Sequence, residues 1–313
     1  MPARTPSGPP PPPTVQRLRV RFAKRGRLRF TSHRDFQRAW ERALRRAAVP
    51  MAYSAGFSPH PKISYAGAAP TGAASEAEYL EIGLAERCDP ERLRAALDAC
   101  LSPGLDVLEV VEASAGSLVD RLEASHWRVR LDGVHPVAAA AAVAAFNAAE
   151  RVEVARMMKN GLRTFDAREA VVELRAGTGR PALPMTGGDS QAVRAEARFD
   201  DSAAARRDGQ AVRADADRED SAPERGETRD VADPCAILDM VVRHLTPAVR
   251  PDDVLTGLRL VADLVPPSPP VVTRLAQGPL DPQTGLVGDP LVSDRATATS
   301  APRLAVRVST EEH

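Results

Sequence analysis

Arg17-Leu-Arg-Val-Arg-Phe22, followed after a short gap by Ser32-His-Arg-Asp-Phe-Gln-Arg-Ala-Trp-Glu-Arg-Ala-Leu-Arg-Arg46, is where the chain declares how it folds. In the first segment Leu18, Val20 and Phe22 alternate with Arg17, Arg19 and Arg21. That is the period of a strand with one apolar face and one arginine face. In the second, Ser32 suits a helix N-cap with Asp35 three residues on. At about 100° per residue, Phe36, Trp40, Ala43, Leu44 and Ala47 share one arc, and Arg34, Arg38, Arg42, Arg45 and Arg46 the opposite one. Pro50 ends the helix.

Working outward, a short extended piece at Met51–Ser54 leads into a proline-rich loop and a strand from Ile63. Tyr79–Leu84 reads as another strand, Asp89-Pro90 opens a helix to Cys100 that buries Leu93 and Leu97, and Leu105–Val111 reads as a strand. The order β-α-β-β-α-β is the split βαβ, or ferredoxin-like, arrangement. It begins again at Trp127, Val129 and Leu131, continues through an alanine-rich helix at 136–149, and reaches a strand at Val152 and Val154 that Ala170–Leu174 extends or follows. Ala236–Val242 is a continuous apolar run, as a central strand would be. Pro251-Asp-Asp253 makes a favourable first helical turn before Val254, Leu255, Leu258 and Val261, and Val271–Leu275 reads as the last strand. The fold class expected is α+β, two tandem ferredoxin-like modules over 15–115 and over 120–176 plus 235–277.

The interruption is compositional. Residues 177–234 hold nine Arg, thirteen Asp or Glu and six large apolar side chains in 58 residues. Ordering a backbone costs roughly 1–2 kcal/mol per residue, and burying a large apolar side chain returns about 1.5–3 kcal/mol. An acidic, disordered linker is therefore expected. Residues 1–14, with seven prolines, read as a polyproline-leaning tail, and 278–313 as a mostly loose one in which Leu304–Val308 could add a strand.

The 313 residues carry 42 basic and 42 acidic side chains, so the formal charge is zero. That neutrality hides an asymmetry: residues 15–62 contain thirteen Arg or Lys against Asp35 and Glu41 alone. No apolar run is long enough for a membrane span, and Met1–Pro13 lacks the apolar core of a secretory signal. Cys88, Cys100 and Cys235 are isolated, so a reduced, cytoplasmic setting is expected. The sequence contains no Walker loop, dinucleotide fingerprint, zinc spacing or nucleophile elbow, and no cofactor or metal is expected.

The basic stretch points instead to a polyanion. Lys24, Arg25 and Arg27 lie between strand and helix, flanked by the arginine stripe of the helix and the outward arginines of the strand. Clustered cations attract phosphate backbones by counterion release. Gly56-Phe-Ser-Pro-His-Pro-Lys62 is stiffened by two prolines and presents Phe57, His60 and Lys62, an aromatic beside cations, as base stacking next to phosphate would require. Lys159-Asn-Gly-Leu-Arg163, with Asp166 and Arg168 nearby, suggests a second phosphate-facing patch. His33 with Asp35, or His60 with Lys62, offers acid/base chemistry, although helix capping and turn closure account for the same residues. Glu76, Glu78 and Glu81 could hold a cation but lack a neighbouring His or Asp.

Phe30-Thr-Ser-His-Arg-Asp35, Ser54-Ala-Gly-Phe-Ser-Pro-His-Pro-Lys-Ile-Ser64, Ser75-Glu-Ala-Glu-Tyr-Leu80 and Arg250-Pro-Asp-Asp253 together resemble the radical SAM-linked domain family of unknown function, DUF2344, closely over 16–130 and more loosely over 235–277. Such domains occur as separate proteins or fused behind a radical SAM enzyme, so the resemblance implies a radical SAM partner rather than a chemistry. The chain's own cysteines lack the close spacing an iron–sulfur cluster needs. Tandem modules of this kind also resemble the fold of CRISPR RNA-processing endonucleases, a likeness of fold alone. The expected function is a non-catalytic RNA-binding accessory for tRNA or ribosomal RNA. Lys24, Arg25, Arg27, Arg34, Arg38, Arg42, Arg45, Lys159 and Arg163 would hold phosphates, and Phe57, His60 and Lys62 a base or an end. The alternatives are a metal-independent RNA-cleaving enzyme using His60 or His33 with Lys62, and a module that docks the radical SAM partner.

Overall fold

The fold is that of a computed structural model that describes residues 12–55, 57–159, 161–178 and 234–300, with the side chains of 297–300 excepted. The expected disorder of the proline-rich tail and of the acidic insert falls almost wholly outside those residues, as does the strand suggested at Leu304–Val308. The chain is mixed α/β: a large mixed sheet with few helices. Its elements in order are β1 (Gln16–Lys24), α1 (His33–Arg46), β2 (Ile63–Ala66), β3 (Ala74–Leu84), α2 (Pro90–Cys100), β4 (Leu105–Glu112), β5 (Ala124–Asp132), α3 (Pro136–Ala148), β6 (Glu153–Met158), β7 (Gly161–Asp166), β8 (Val171–Gly177), β9 (Cys235–Arg243), α4 (Pro251–Ala262), β10 (Val271–Gly278) and α5 (Val292–Ser300).

The main sheet runs β4-β1-β3-β10-β5-β9-β8, with β2 also on β3. Neighbours are antiparallel except β3 and β10, which run parallel and share only the pairs Thr273–Ala74 and Arg274–Ser75. The edge of β3 away from β1 is divided, with β2 pairing along Tyr79–Ile82 and β10 at Ala74–Ser75. Each half buries its own core. In the first, Leu18, Val20 and Phe22 of β1 meet Phe36, Trp40 and Leu44 of α1 and Leu93 and Leu97 of α2. In the second, Val129 and Leu131 of β5 and Leu238 and Met240 of β9 meet Val143 and Phe146 of α3 and Val254 and Leu258 of α4. The helix periodicity read from the sequence therefore places the inward residues of α1 correctly, and Ser32 caps it by accepting from the Asp35 amide at 3.2 Å.

Two expectations need correction. The arginine face of β1 faces solvent only at its start, where Arg17 is exposed. Arg19 is wholly buried, because the stretch after β4 and the segment leading into α5 cover that side of the sheet, with Leu118, Leu122 and Leu291 packed among Ala77, Tyr79 and Val111. The segment from Gly278 is accordingly not loose over 278–300. Asp294 in α5 is fully buried and accepts from the Arg19 guanidinium at 2.7 Å and from the Ser114 hydroxyl at 2.6 Å. The segment contains no Phe, Trp or Tyr and is anchored instead by one leucine and by charge. A third finding was not foreseen. β6 and β7 form a separate two-stranded hairpin beside α4, with Arg156 opposite Arg163 and Met157 opposite Leu162.

Candidate nucleic-acid interface

Thirteen cations in the opening stretch need partners or solvent, and the fold divides them. Those of β1 and its exit are consumed. Arg17 and Arg19 both reach Glu81, at 3.3 and 3.0 Å, and Arg21 donates to the backbone oxygen of Glu76 at 3.1 Å. Lys24 is buried, its Nζ 3.4 Å from the carbonyls of Ala69 and Pro70. Burial lowers its pKa, with Glu78 acting in the opposite sense and Arg274 adding to the fall. Arg25 lies between Glu76 and Asp106, and the hydrogen bond to Glu76 raises its pKa. Lys24 and Arg25 therefore present no free charge to a ligand. The carboxylates considered above as cation ligands are the ones that neutralise this group: Glu76 holds Arg25, Glu78 holds Arg274, and Glu81 holds Arg17 and Arg19.

The helix arginines are different. Arg34, Arg38, Arg42, Arg45 and Arg46 are all exposed on α1, opposite its buried stripe. Among the described residues Arg34, Arg42 and Arg46 have no carboxylate within ion-pair distance. Arg38 has only an exposed one, Asp35 at 3.7 Å, and Arg45 donates to the Glu41 backbone oxygen at 3.2 Å. Surface pairs such as Arg38–Asp35 contribute about 0–1 kcal/mol and leave the charge available. Arg27 is also exposed, in the 3-10 turn Gly26–Phe30 that precedes the helix.

Exposed rings gather in the same part of the chain. Phe30, Tyr53 and Phe57 are 60, 41 and 70% exposed, and they are the aromatic members of the exposed large apolar side chains among the described residues. The Arg29 guanidinium lies 4.7 Å from the Phe30 ring centroid. Phe30 follows Arg29 directly, so it carries the same signal as Phe57, an aromatic beside a cation. The loop carrying Phe57 is a closed turn: the Ser54 amide donates to the His60 carbonyl at 2.9 Å, the His60 amide donates to the Ser54 hydroxyl at 3.1 Å, and Tyr53 bridges to Pro61. It runs directly into β2, whose Tyr65 touches His33 and Phe36 of α1 at ring separations of 5.6 and 5.7 Å. The stiff turn and the arginine helix are thus tied through one strand.

The acid/base candidates do not assemble into a catalytic pair. His60 Nδ1 is 2.9 Å from the Ser54 hydroxyl, Lys62 donates to the Thr14 hydroxyl at 2.9 Å, and His33 contacts Phe36 and Tyr65. Among the described residues no hydrogen bond joins His33, His60 and Lys62 to one another. The Tyr65 hydroxyl and the Trp40 indole N–H, both buried in this aromatic cluster, have no partner among the described residues, and burial together with Glu41 raises the Tyr65 phenol well above its usual value. No group of three metal-ligating side chains occurs among the described residues, and no helix there is long and apolar enough to cross a membrane.

Lys159 and Arg163 lie apart from this face, on the β6–β7 hairpin, where Arg156 and Arg250 join them around an open hollow of about 570 Å³. Arg168 and Asp166 serve the turn instead: the Asp166 carboxylate accepts from the amides of Val152 and Arg168 at 2.9 Å, and Arg168 donates to the Val171 carbonyl at 2.8 Å.

Among known protein families, the model described as an uncharacterized protein conserved in bacteria, DUF2344, matches residues 17–206. A search of curated proteins gives no match.

Proposed function

The chain belongs to DUF2344, a family of uncharacterized proteins conserved in bacteria, and from that premise we propose that it is an RNA-binding accessory protein, non-catalytic by itself. It would act in the cytoplasm beside a radical SAM enzyme or RNA-processing machinery. The observation that carries this reading is the exposed face of α1, where Arg34, Arg42 and Arg46 have no carboxylate partner among the described residues, whereas Arg17, Arg19 and Arg25 do. A helix that served only to be solvated would mix signs along its outer face. Phe30, Tyr53 and Phe57 add π-faces on which unpaired bases stack, each contact contributing about 1–3 kcal/mol.

We read the sheet beneath this face as two ferredoxin-like modules side by side. What supports that reading is the repetition of one strand order. In the first half it is β4-β1-β3-β2 with helices α1 and α2; in the second it is β10-β5-β9-β8 with α3 and α4, and neighbouring strands within each half are antiparallel.

The test is fluorescence anisotropy of the full chain with a labelled single-stranded RNA over a series of salt concentrations. If about five cations engage the strand, log affinity falls against log salt with a slope near −3.5. Replacing Arg34, Arg42 and Arg46 together by Gln makes that slope shallower by about 2. A complex indifferent to salt, or no binding of any RNA, would overturn the proposal. Capture of a radical SAM enzyme that survives nuclease treatment would assign α1 to protein docking instead.

A further inference from the structure

The hairpin hollow is argued from different residues. On β6 and β7, Arg156 stands directly opposite Arg163 in register. Like charges facing one another across a ladder destabilise it, so the pairing calls for a compensating anion. One half of the pair has such a partner: Arg156 is ion-paired with Asp253 of α4, donates to the Ala248 carbonyl at 2.9 Å and lies 5.0 Å from the Phe165 ring centroid. Asp253 is fully engaged by this contact and by the Arg250 amide at 2.8 Å. Arg163, Lys159 and Arg250 have no carboxylate within ion-pair distance among the described residues, Arg250 being only electrostatically coupled to Asp253, and they line the hollow together with Met157 and Met158. Arg250 enters from the N-terminus of α4, so the positive end of that helix helps form the same wall.

We propose that this hollow binds a phosphomonoester. A guanidinium pair, an ammonium and a further arginine converge there against one committed carboxylate, which leaves about three positive charges unanswered. A terminal phosphate carries about −1.5 to −2 at neutral pH and offers three acceptor oxygens, against a single negative charge on an internal phosphodiester. Arg156, held in place by Asp253, is a positioning residue that keeps β6 against α4. Arg163, Lys159 and Arg250 touch the phosphate. The source is either the phosphorylated end of an RNA strand, which would deepen the function proposed above, or a small phosphorylated molecule, which would be independent of it.

Two probes separate these. The full chain is titrated with a single-stranded RNA bearing either a 5′-phosphate or a 5′-hydroxyl, and separately with inorganic phosphate followed by amide NMR shifts at Lys159–Arg163. The expected result is a preference of about tenfold for the phosphorylated strand, the worth of one charge-assisted contact. Arg163→Ala combined with Lys159→Ala, both exposed positions, abolishes that preference, whereas the α1 arginine variants weaken both strands equally. Phosphate-dependent shifts that vanish in Arg163→Ala, without any RNA binding, assign the site to a small phosphorylated molecule and count against the RNA reading alone. Equal affinity for the two strands together with no response to phosphate would overturn the site.

Discussion

Arg274 of β10 and Glu78 of β3, 196 residues apart, form an ion pair in which the side chains are only 3 and 5% exposed. The same guanidinium donates to the Gly67 carbonyl at 2.6 Å, to the Ser75 hydroxyl at 3.2 Å and to the Gln277 side chain, and it lies 5.3 Å from the Trp127 ring. These contacts cluster where the two halves of the sheet meet through only two strand pairs. Charge and hydrogen bonding therefore do at this seam what a longer ladder does elsewhere.

The first prediction concerns that seam. Glu78→Gln leaves a buried guanidinium uncompensated, and the expected loss is about 3–5 kcal/mol in urea denaturation. Replacing both partners, Glu78→Leu with Arg274→Met, costs less than the single change, because it removes the paired charges together and leaves only Lys24 without Glu78. A double variant as unstable as the single one would show that the pair is not the coupling element.

Acid should release α5. Burial by itself raises the Asp294 pKa, but hydrogen bonds from the Ser114 hydroxyl and amide, together with Arg19, outweigh it and hold the carboxyl below its ordinary value. A depressed carboxylate contributes stability that is fully present above its unfolded value, about 3.9, and lost as the pH falls through the folded one. The protection factors of the 292–296 amides, measured by hydrogen exchange against their intrinsic rates, should therefore fall below about pH 4 while those of α3 hold. Asp294→Asn should bring the same exposure at neutral pH.

Gly257 of α4 is a packing site. An added Cβ would come within 2.7 Å of Phe146 and 2.9 Å of Val152. The helix propensity of Ala would favour Gly257→Ala by about 1 kcal/mol, but overpacking of a filled core costs about 1–3 kcal/mol. The expected outcome is a net loss in thermal unfolding. A more stable variant would mean that the ring of Phe146 moves freely.

Tyr65 gives the opposite sign. Its hydroxyl is buried without a partner among the described residues, a state that costs about 1–3 kcal/mol. Tyr65→Phe removes the orphaned group and keeps the ring against His33 and Phe36, so stability is unchanged or slightly improved in urea denaturation. A marked loss would reveal an unrecognised partner for that hydroxyl.

How much the sequence disclosed depends on the reach of each interaction. α1 was readable because helix periodicity and capping are local: Ser32, Phe36, Trp40 and Leu44 take the positions their spacing demands. The arginine face of β1 was misread because alternation cannot distinguish solvent from a covering layer, and the carboxylate that buries Arg19 sits 275 residues away. The neutralisation of Arg25 by Glu76 and Asp106 is likewise a matter of strand neighbours rather than sequence neighbours. The hairpin had a local signature, Asn160-Gly161 between alternating residues, with Gly161 at φ 105°. Its charges drew attention first, and Arg156 and Arg250 could join Lys159 and Arg163 only once the fold had been assembled.

The anchoring of α5 on β1 also sets an order of events during synthesis. The guanidinium of Arg19 leaves the ribosome 275 residues before its carboxylate partner, Asp294. A nascent chain halted before residue 294 would leave the Arg19 guanidinium with Glu81 but without its second carboxylate and its covering layer, and that half would stay open to proteases until Asp294 had been made. Truncations ahead of residue 294 are therefore expected to damage the half built on β1.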